Sequence, residues 1–323
     1  MRTITVLFAL WALFFGTRTA NACTKQRCDF LKAFLPFFII LHHHAQRTDW
    51  PWPFDGDFCA LGGPVVMMFF FISGYGLECK RGSKGLRLRE LPLRLRRLFT
   101  PTILPVLMYI AGLLVIGRID KLWSTIAGCW YPLPFSWFVV VIAILYVGFY
   151  LCASLAKGGK AFLALLLVYS LATVVALKLL NAPGYMIGSD LAVFVGAAYK
   201  RYEEPLLKLL KVHWVRIALA LFSVAFVLAY LHFGGGLPKL LKGSRYLWLL
   251  LMFAMFAYVR VFTSKRVDFL TKISYDVYLC QGIAFGIVPY KEMDFLVSFL
   301  AVCLLTVALA MFSHWAHGKV FQR

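Results

Sequence analysis

The chain has 323 residues, 62% of them hydrophobic and only 15% charged, with a mean hydropathy of +0.79. That composition lies far outside the range of a soluble globular domain and reads as a polytopic membrane protein. The formal net charge of +20 does not point to nucleic acid, because the Lys and Arg residues lie mainly between apolar runs and no RNP, KH or zinc-finger pattern accompanies them.

In chain order, Met1 to Ala22 resemble a signal peptide: Arg2, an apolar run from Ile4 to Phe15, then Ala20-Asn21-Ala22. Cleavage there would put Cys23 outside, whereas the loop charges below want Lys25 and Arg27 inside. Residues 1–24 are therefore set apart as an N-terminal hydrophobic segment, either signal-like, an extra helix or the product of a misassigned start. Residues 25–323 form one integral membrane domain.

The stretch from Cys28 to Gln46, CDFLKAFLPFFIILHHHAQ, is an apolar helix with a lysine near its start and three histidines near its end. An ionisable side chain at a membrane helix centre costs about 2.5 to 3.5 kcal/mol, so such residues point to function. Lys32 and His43 stand eleven positions apart, roughly three turns, and share one helix face with about 16 Å of rise between them. Adjacent His42, His43 and His44 point about 100° apart and cannot all ligate one metal. His42 and His44 read equally well as a polar helix end.

Further apolar segments lie near Phe58 to Cys79, Leu98 to Ile116, Phe135 to Ala156, Ala161 to Leu180, Gly184 to Tyr199, Val215 to Phe233, Tyr246 to Phe262, Ile273 to Tyr290 and Phe295 to Trp315. With the opening helix they predict an all-α polytopic transmembrane bundle of about ten spans, each crossing a hydrocarbon core of about 30 Å. Lys80, Arg81, Lys84, Arg87, Arg89, Arg94, Arg96 and Arg97 face a single Glu90 between the second and third spans, a strong positive-inside signal. Every second loop is then cytoplasmic, and Lys239, Lys242 and Arg245 are the exception. Pro36 is the one candidate helix break in the opening span. Gly234-Gly235-Gly236 reads as a flexible loop.

The eight cysteines show no CxxC or Cys/His spacing, and most lie in apolar runs, so neither a metal site nor a disulfide framework is expected. Within FFFISGYGL, Ser73 lacks the preceding glycine of a nucleophile elbow, and the small residues there suit close helix packing. Gly282 and Gly286 have the same small-xxx-small spacing.

Five motifs in order carry a resemblance: Asp29-x-x-Lys32 followed eleven residues later by His43, then FFFISGYGL, then Arg94-x-x-Arg97 leading to Pro101, then Ser136-Trp137-Phe138, and lastly ISYDVYLCQ from Ile273 to Gln281. In order and spacing, from Cys28 onward, the chain resembles the acyltransferase-3 family of bacterial integral membrane acyltransferases. The resemblance implies transfer of an acyl group, commonly acetyl, from cytoplasmic acyl-CoA to a hydroxyl of a cell-envelope polysaccharide or lipid-linked sugar. His43 is implied as the catalytic histidine and Lys32 as its basic partner. Family members often carry Arg at the position of Lys32 and His at that of Gln281. Lysine keeps the charge without the bidentate fork, and Gln281 cannot titrate.

The same chemistry suits the residues read alone. A hydroxyl attacking a thioester needs a base near neutral pH, which a histidine in a partly dry bundle supplies. Arg94, Arg96 and Arg97 would attract the phosphates of acyl-CoA, or serve topology alone. Ser73, Tyr75 and Trp137 are candidate pocket residues; Asp29, Asp276 and Gln281 are supporting candidates, with Asp276 also readable as an ion-pair partner of Lys272. No tightly bound cofactor and no nucleic acid are expected. The expected partners are acyl-CoA, the sugar acceptor and membrane lipids, in a bacterial inner membrane. The competing class is a proton-coupled transporter or flippase using the Lys32 and His43 face, which predicts broken helices in inverted repeats.

Overall fold

The computed structural model describes residues 20–48 and 58–321, apart from 213, 216, 223, 224, 226–248, 251, 255 and 263. Every regular element among them is helical. α1 (Lys25–Ala45) starts where the Thr24 side chain accepts a hydrogen bond from the Arg27 N–H, and it runs through Pro36 without breaking. α2 spans Gly62–Lys84. A 3-10 turn, Leu88–Glu90, leads into α3 (Leu91–Phe99), and a second, Thr100–Thr102, leads into α4 (Ile103–Val115). Then come α5 (Asp120–Cys129), α6 (Trp137–Leu155), α7 (Gly159–Leu179), α8 (Leu191–Arg201) and α9 (Glu203–Leu210). After them come α10 (Lys265–Ile287), capped by Ser264, and α11 (Phe295–Phe321).

The expectation of about ten spans is corrected. Among the described residues, five helical stretches are long and apolar enough to cross a membrane: Gly62–Lys84, Leu88–Val115, Trp137–Leu155, Gly159–Leu179 and Phe295–Val320. The segment expected from Gly184 to Tyr199 is a run of turns followed by the 11-residue α8, too short to cross. The opening helix and the Ile273 to Tyr290 segment form full-length helices, α1 and α10, that are too polar to count. Three histidines and Lys32 lower the hydropathy of one; Lys272, Asp276 and Gln281 lower that of the other. The segment from 215 to 233 lies largely, and that from 246 to 262 partly, outside the described residues, and residues 1–19, Asp49, Asp55, Asp57, the glycine run 234–236 and Lys239, Lys242 and Arg245 lie outside them altogether.

α1 and α10 pack against each other. The Thr271 hydroxyl donates to the Asp29 carbonyl at 2.9 Å, and Ile40 packs with Ile273, Val277 and Cys280. The charged stretch after α2 also departs from a loop: α2 continues to Lys84, and Arg94, Arg96 and Arg97 lie on α3.

The tightest helix contact joins α2 to α8. A Cβ on Gly74 would come within 2.0 Å of the Val193 carbonyl oxygen, and one on Gly196 within 2.1 Å of that of Phe71. Two glycines thus let the backbones touch, as small residues do in membrane bundles. Gly282 does the same against Pro134, whereas Gly286 faces open space. All eight cysteines are free thiols.

Candidate active site

Five helices enclose a cavity of about 250 Å³. α1 contributes Lys32; α2 contributes Phe69, Ile72 and Ser73; α3 contributes Arg94, Arg97 and Leu98; α6 contributes Phe138 and Tyr146; α10, through Ser274, Tyr275 and Tyr278, closes it. Among the described residues, three cations and no carboxylate face this space. Arg94 is held by Tyr146, donating to its hydroxyl at 3.2 Å with the guanidinium carbon 4.6 Å from the ring centroid. Lys32 is steadied by Asp29 at 3.4 Å, one turn earlier on α1, and Asp29 is shared with Lys25. The Tyr275 hydroxyl donates to the Leu98 carbonyl at 2.9 Å, tying the far wall to α3. Arg97 is exposed and Lys32 partly so; the cations offer charge-assisted donors beside apolar and aromatic walls.

Of the residues singled out from the sequence, Lys32, Ser73, Arg94 and Arg97 meet in this cavity, although they come from three helices. His43 does not line it. Its ring stacks on Phe135 with centroids 4.1 Å apart, and its buried Nδ1 has no hydrogen-bond partner among the described residues. Phe135 links the two places: its carbonyl accepts a hydrogen bond from the hydroxyl of Tyr278, which lines the cavity. Phe135 adopts a left-handed backbone (φ 63°), a conformation that costs a non-glycine residue about 1 to 2 kcal/mol. Arg47 covers the same ring at 4.7 Å and donates to the His43 carbonyl at 2.8 Å. Gln281 is fully buried, its amide donating to the Tyr278 carbonyl at 3.1 Å while its own oxygen is unpartnered among the described residues.

The other candidates sit elsewhere. His42 packs against Gly62, with Nδ1 3.3 Å from the Phe58 carbonyl, and His44 is fully buried against Ser298 at 2.8 Å. Arg96 is exposed on α3 and does not line this cavity. Trp137 packs on Tyr185 at 5.9 Å. Asp276 is held by Ser313 and His314 of α11, both at 3.1 Å, in place of Lys272.

Tyr75 faces away from the cavity. Its hydroxyl donates to the Cys23 carbonyl and lies 3.0 Å from both oxygens of buried Glu203, which also takes Lys200 at 2.6 Å. It fastens the chain before α1 to the start of α9. Tyr75→Phe is therefore expected to cost about 1 to 3 kcal/mol of stability, read by thermal unfolding in detergent, with donor KM unchanged. A raised donor KM at unchanged stability would return Tyr75 to the substrate.

Sequence reading missed Tyr146, Tyr275 and Tyr278, because a tyrosine in an apolar span carries no signal distinguishing a cavity wall from an interfacial anchor. It missed Phe135 as the contact of His43, although the -Pro134-Phe135-Ser136- break before α6 marked an irregular turn.

A family model described as an acyltransferase domain, that of acyltransferase-3, matches residues 26–315. The chain belongs to the acyltransferase-3 family. No curated protein and no solved structure matches it. The match begins in the first turn of α1 and ends inside α11, so it takes in every helix of the cavity. Together, the family and the five apolar helical stretches make this an integral membrane acyltransferase.

Proposed function

We propose that this acyltransferase moves an acyl group, in the simplest case acetyl, from acyl-CoA to a hydroxyl of a cell-envelope polysaccharide or lipid-linked sugar. The observation that supports it is the convergence of Lys32, Arg94 and Arg97 on one cavity with no carboxylate among the described residues that line it, a fit for the phosphates of a polyanionic donor. In the reaction the acceptor oxygen attacks the thioester carbonyl as His43 takes its proton; the C–S bond then breaks and the coenzyme A thiolate leaves, to be protonated in turn. Lys32, three turns along α1 from His43, stands on the donor side. The arginine-rich segment between α2 and α4 faces the cytoplasm of a bacterial cell, where acyl-CoA resides, and the histidine end of α1 faces the outer side, where the sugar arrives.

Purified protein incubated with labelled acetyl-CoA and envelope glycan should transfer label, and mass analysis of the glycan should show one added acetyl group per modified sugar. Arg94→Gln and Arg97→Gln should each raise donor KM at least about tenfold while kcat changes little, since a hydrogen bond to a charged group is worth about 1.5 to 3 kcal/mol. Flux of a polar solute without any acyl turnover would replace this reading by the transporter.

A further inference from the structure

A second, larger cavity of about 570 Å³ opens where the end of α2, the start of α7 and the end of α8 meet. It shares no lining residue with the first. Among the described residues, Lys160, Lys200 and Arg201 face it together with Ser83, against a single carboxylate, Glu78. That carboxylate is already committed. Arg81 holds its two oxygens at 2.6 and 2.7 Å, leaving Arg201 only a long 3.9 Å approach. Lys200 is engaged by Glu203, while Lys160 has no ion pair among the described residues. The cavity therefore offers the Lys160 ammonium and the Arg201 guanidinium to an outside anion.

The helix that carries Lys160 says what kind of anion. Val168, Leu171 and Val175 follow Lys160 by eight, eleven and fifteen residues, which at about 100° per residue puts all four within about 80° on one side of α7. The three apolar members are exposed, Val168 to 64%, in a helix long and apolar enough to span the bilayer. A cation at the head of an outward-facing hydrocarbon stripe matches a molecule with a phosphate at one end and acyl chains below it. A soluble nucleotide would leave the stripe unused.

We propose that this cavity binds the phosphate headgroup of an anionic phospholipid whose acyl chains lie along α7. Basic pockets between membrane helices recognise such headgroups, and a cation near the membrane surface strengthens binding severalfold. The site needs only that the chain spans a membrane, so it stands or falls apart from the acyl acceptor.

The test uses the full chain in neutral detergent, with native mass spectrometry after addition of dioleoylphosphatidylglycerol or dioleoylphosphatidylcholine. The wild type should retain phosphatidylglycerol in preference to phosphatidylcholine. Lys160→Gln combined with Arg201→Gln should weaken phosphatidylglycerol about thirtyfold and leave phosphatidylcholine unchanged. Arg201 packs against Gly159, so if the double variant aggregates, Lys160→Glu, at an exposed position, carries the test with a loss of at least about fivefold. Arg94→Gln, in the other cavity, should have no effect on lipid retention. Unchanged phosphatidylglycerol retention in the Lys160 and Arg201 variants overturns the proposal. So does displacement of phosphatidylglycerol by coenzyme A from the wild type, which would make the cavity part of the donor site.

Discussion

Replacement of His43 by alanine is expected to lower acyl transfer by about 10² to 10⁴-fold, the usual contribution of a general base. Three features of its setting carry the expectation. It lies on the Lys32 face of α1, three turns along the helix from Lys32, which lines the cavity. Its Nδ1 is buried without a partner among the described residues. It also touches Phe135, which is joined through the Tyr278 hydroxyl to the cavity wall. Donor binding, measured by titration with a non-hydrolysable acyl-CoA, should be retained, because the cations are untouched. His44→Ala is the contrast. His44 spends its ring on Ser298 and on packing against Phe295, so its loss should lower the unfolding temperature and spare turnover in the protein that stays folded. Near-normal activity in folded His43→Ala protein would remove the histidine from the mechanism.

Adding one methyl group at Gly74 or Gly196 is expected to destabilise the bundle by about 3 kcal/mol or more, the upper end of overpacking costs. Both Cβ positions run into backbone carbonyl oxygens, at 2.0 and 2.1 Å, and backbone cannot rotate aside as a side chain would. The helices would have to separate along the contact that seats Phe71 against Phe253 and Tyr199. Gly76→Ala, on the same helix with nothing within 4 Å of its Cβ position, should be neutral or slightly stabilising, since alanine is the better helix former. Unfolding in mixed detergent, followed by helical circular dichroism, distinguishes them. Equal midpoints for Gly74→Ala and Gly76→Ala would mean that α2 and α8 are free to slide apart without cost.

Part of the candidate cavity was legible in the sequence because charged residues are costly where they stand. Lys32, Arg94 and Arg97 were singled out as charges in or beside apolar helices, and the structure brings them to one cavity. The tyrosines that line it were not legible, and neither was the partner of Asp276, since a tyrosine or a carboxylate chooses among many partners once helices pack. His314 is 38 residues from Asp276, and Glu203 is 128 from Tyr75. The span count failed because apolar runs of the right length were each read as a crossing: Gly184 to Tyr199 folds as turns and the 11-residue α8, and α1 and α10 carry too many polar residues to count among the apolar spans of the described residues.

By itself the sequence determined an all-helical membrane protein, the shared face of Lys32 and His43, and the order of motifs that places it among acyltransferases, because composition and helical period act locally and survive any arrangement of the helices. The tertiary structure alone decided that three cations from two helices share a cavity, that His43 stands behind Phe135 and Tyr278, and that a second cation-lined space opens beside α7. Those facts depend on which helices touch, and that choice is made by packing between residues far apart in the chain, where small groups such as Gly74 and Gly196 let two backbones meet.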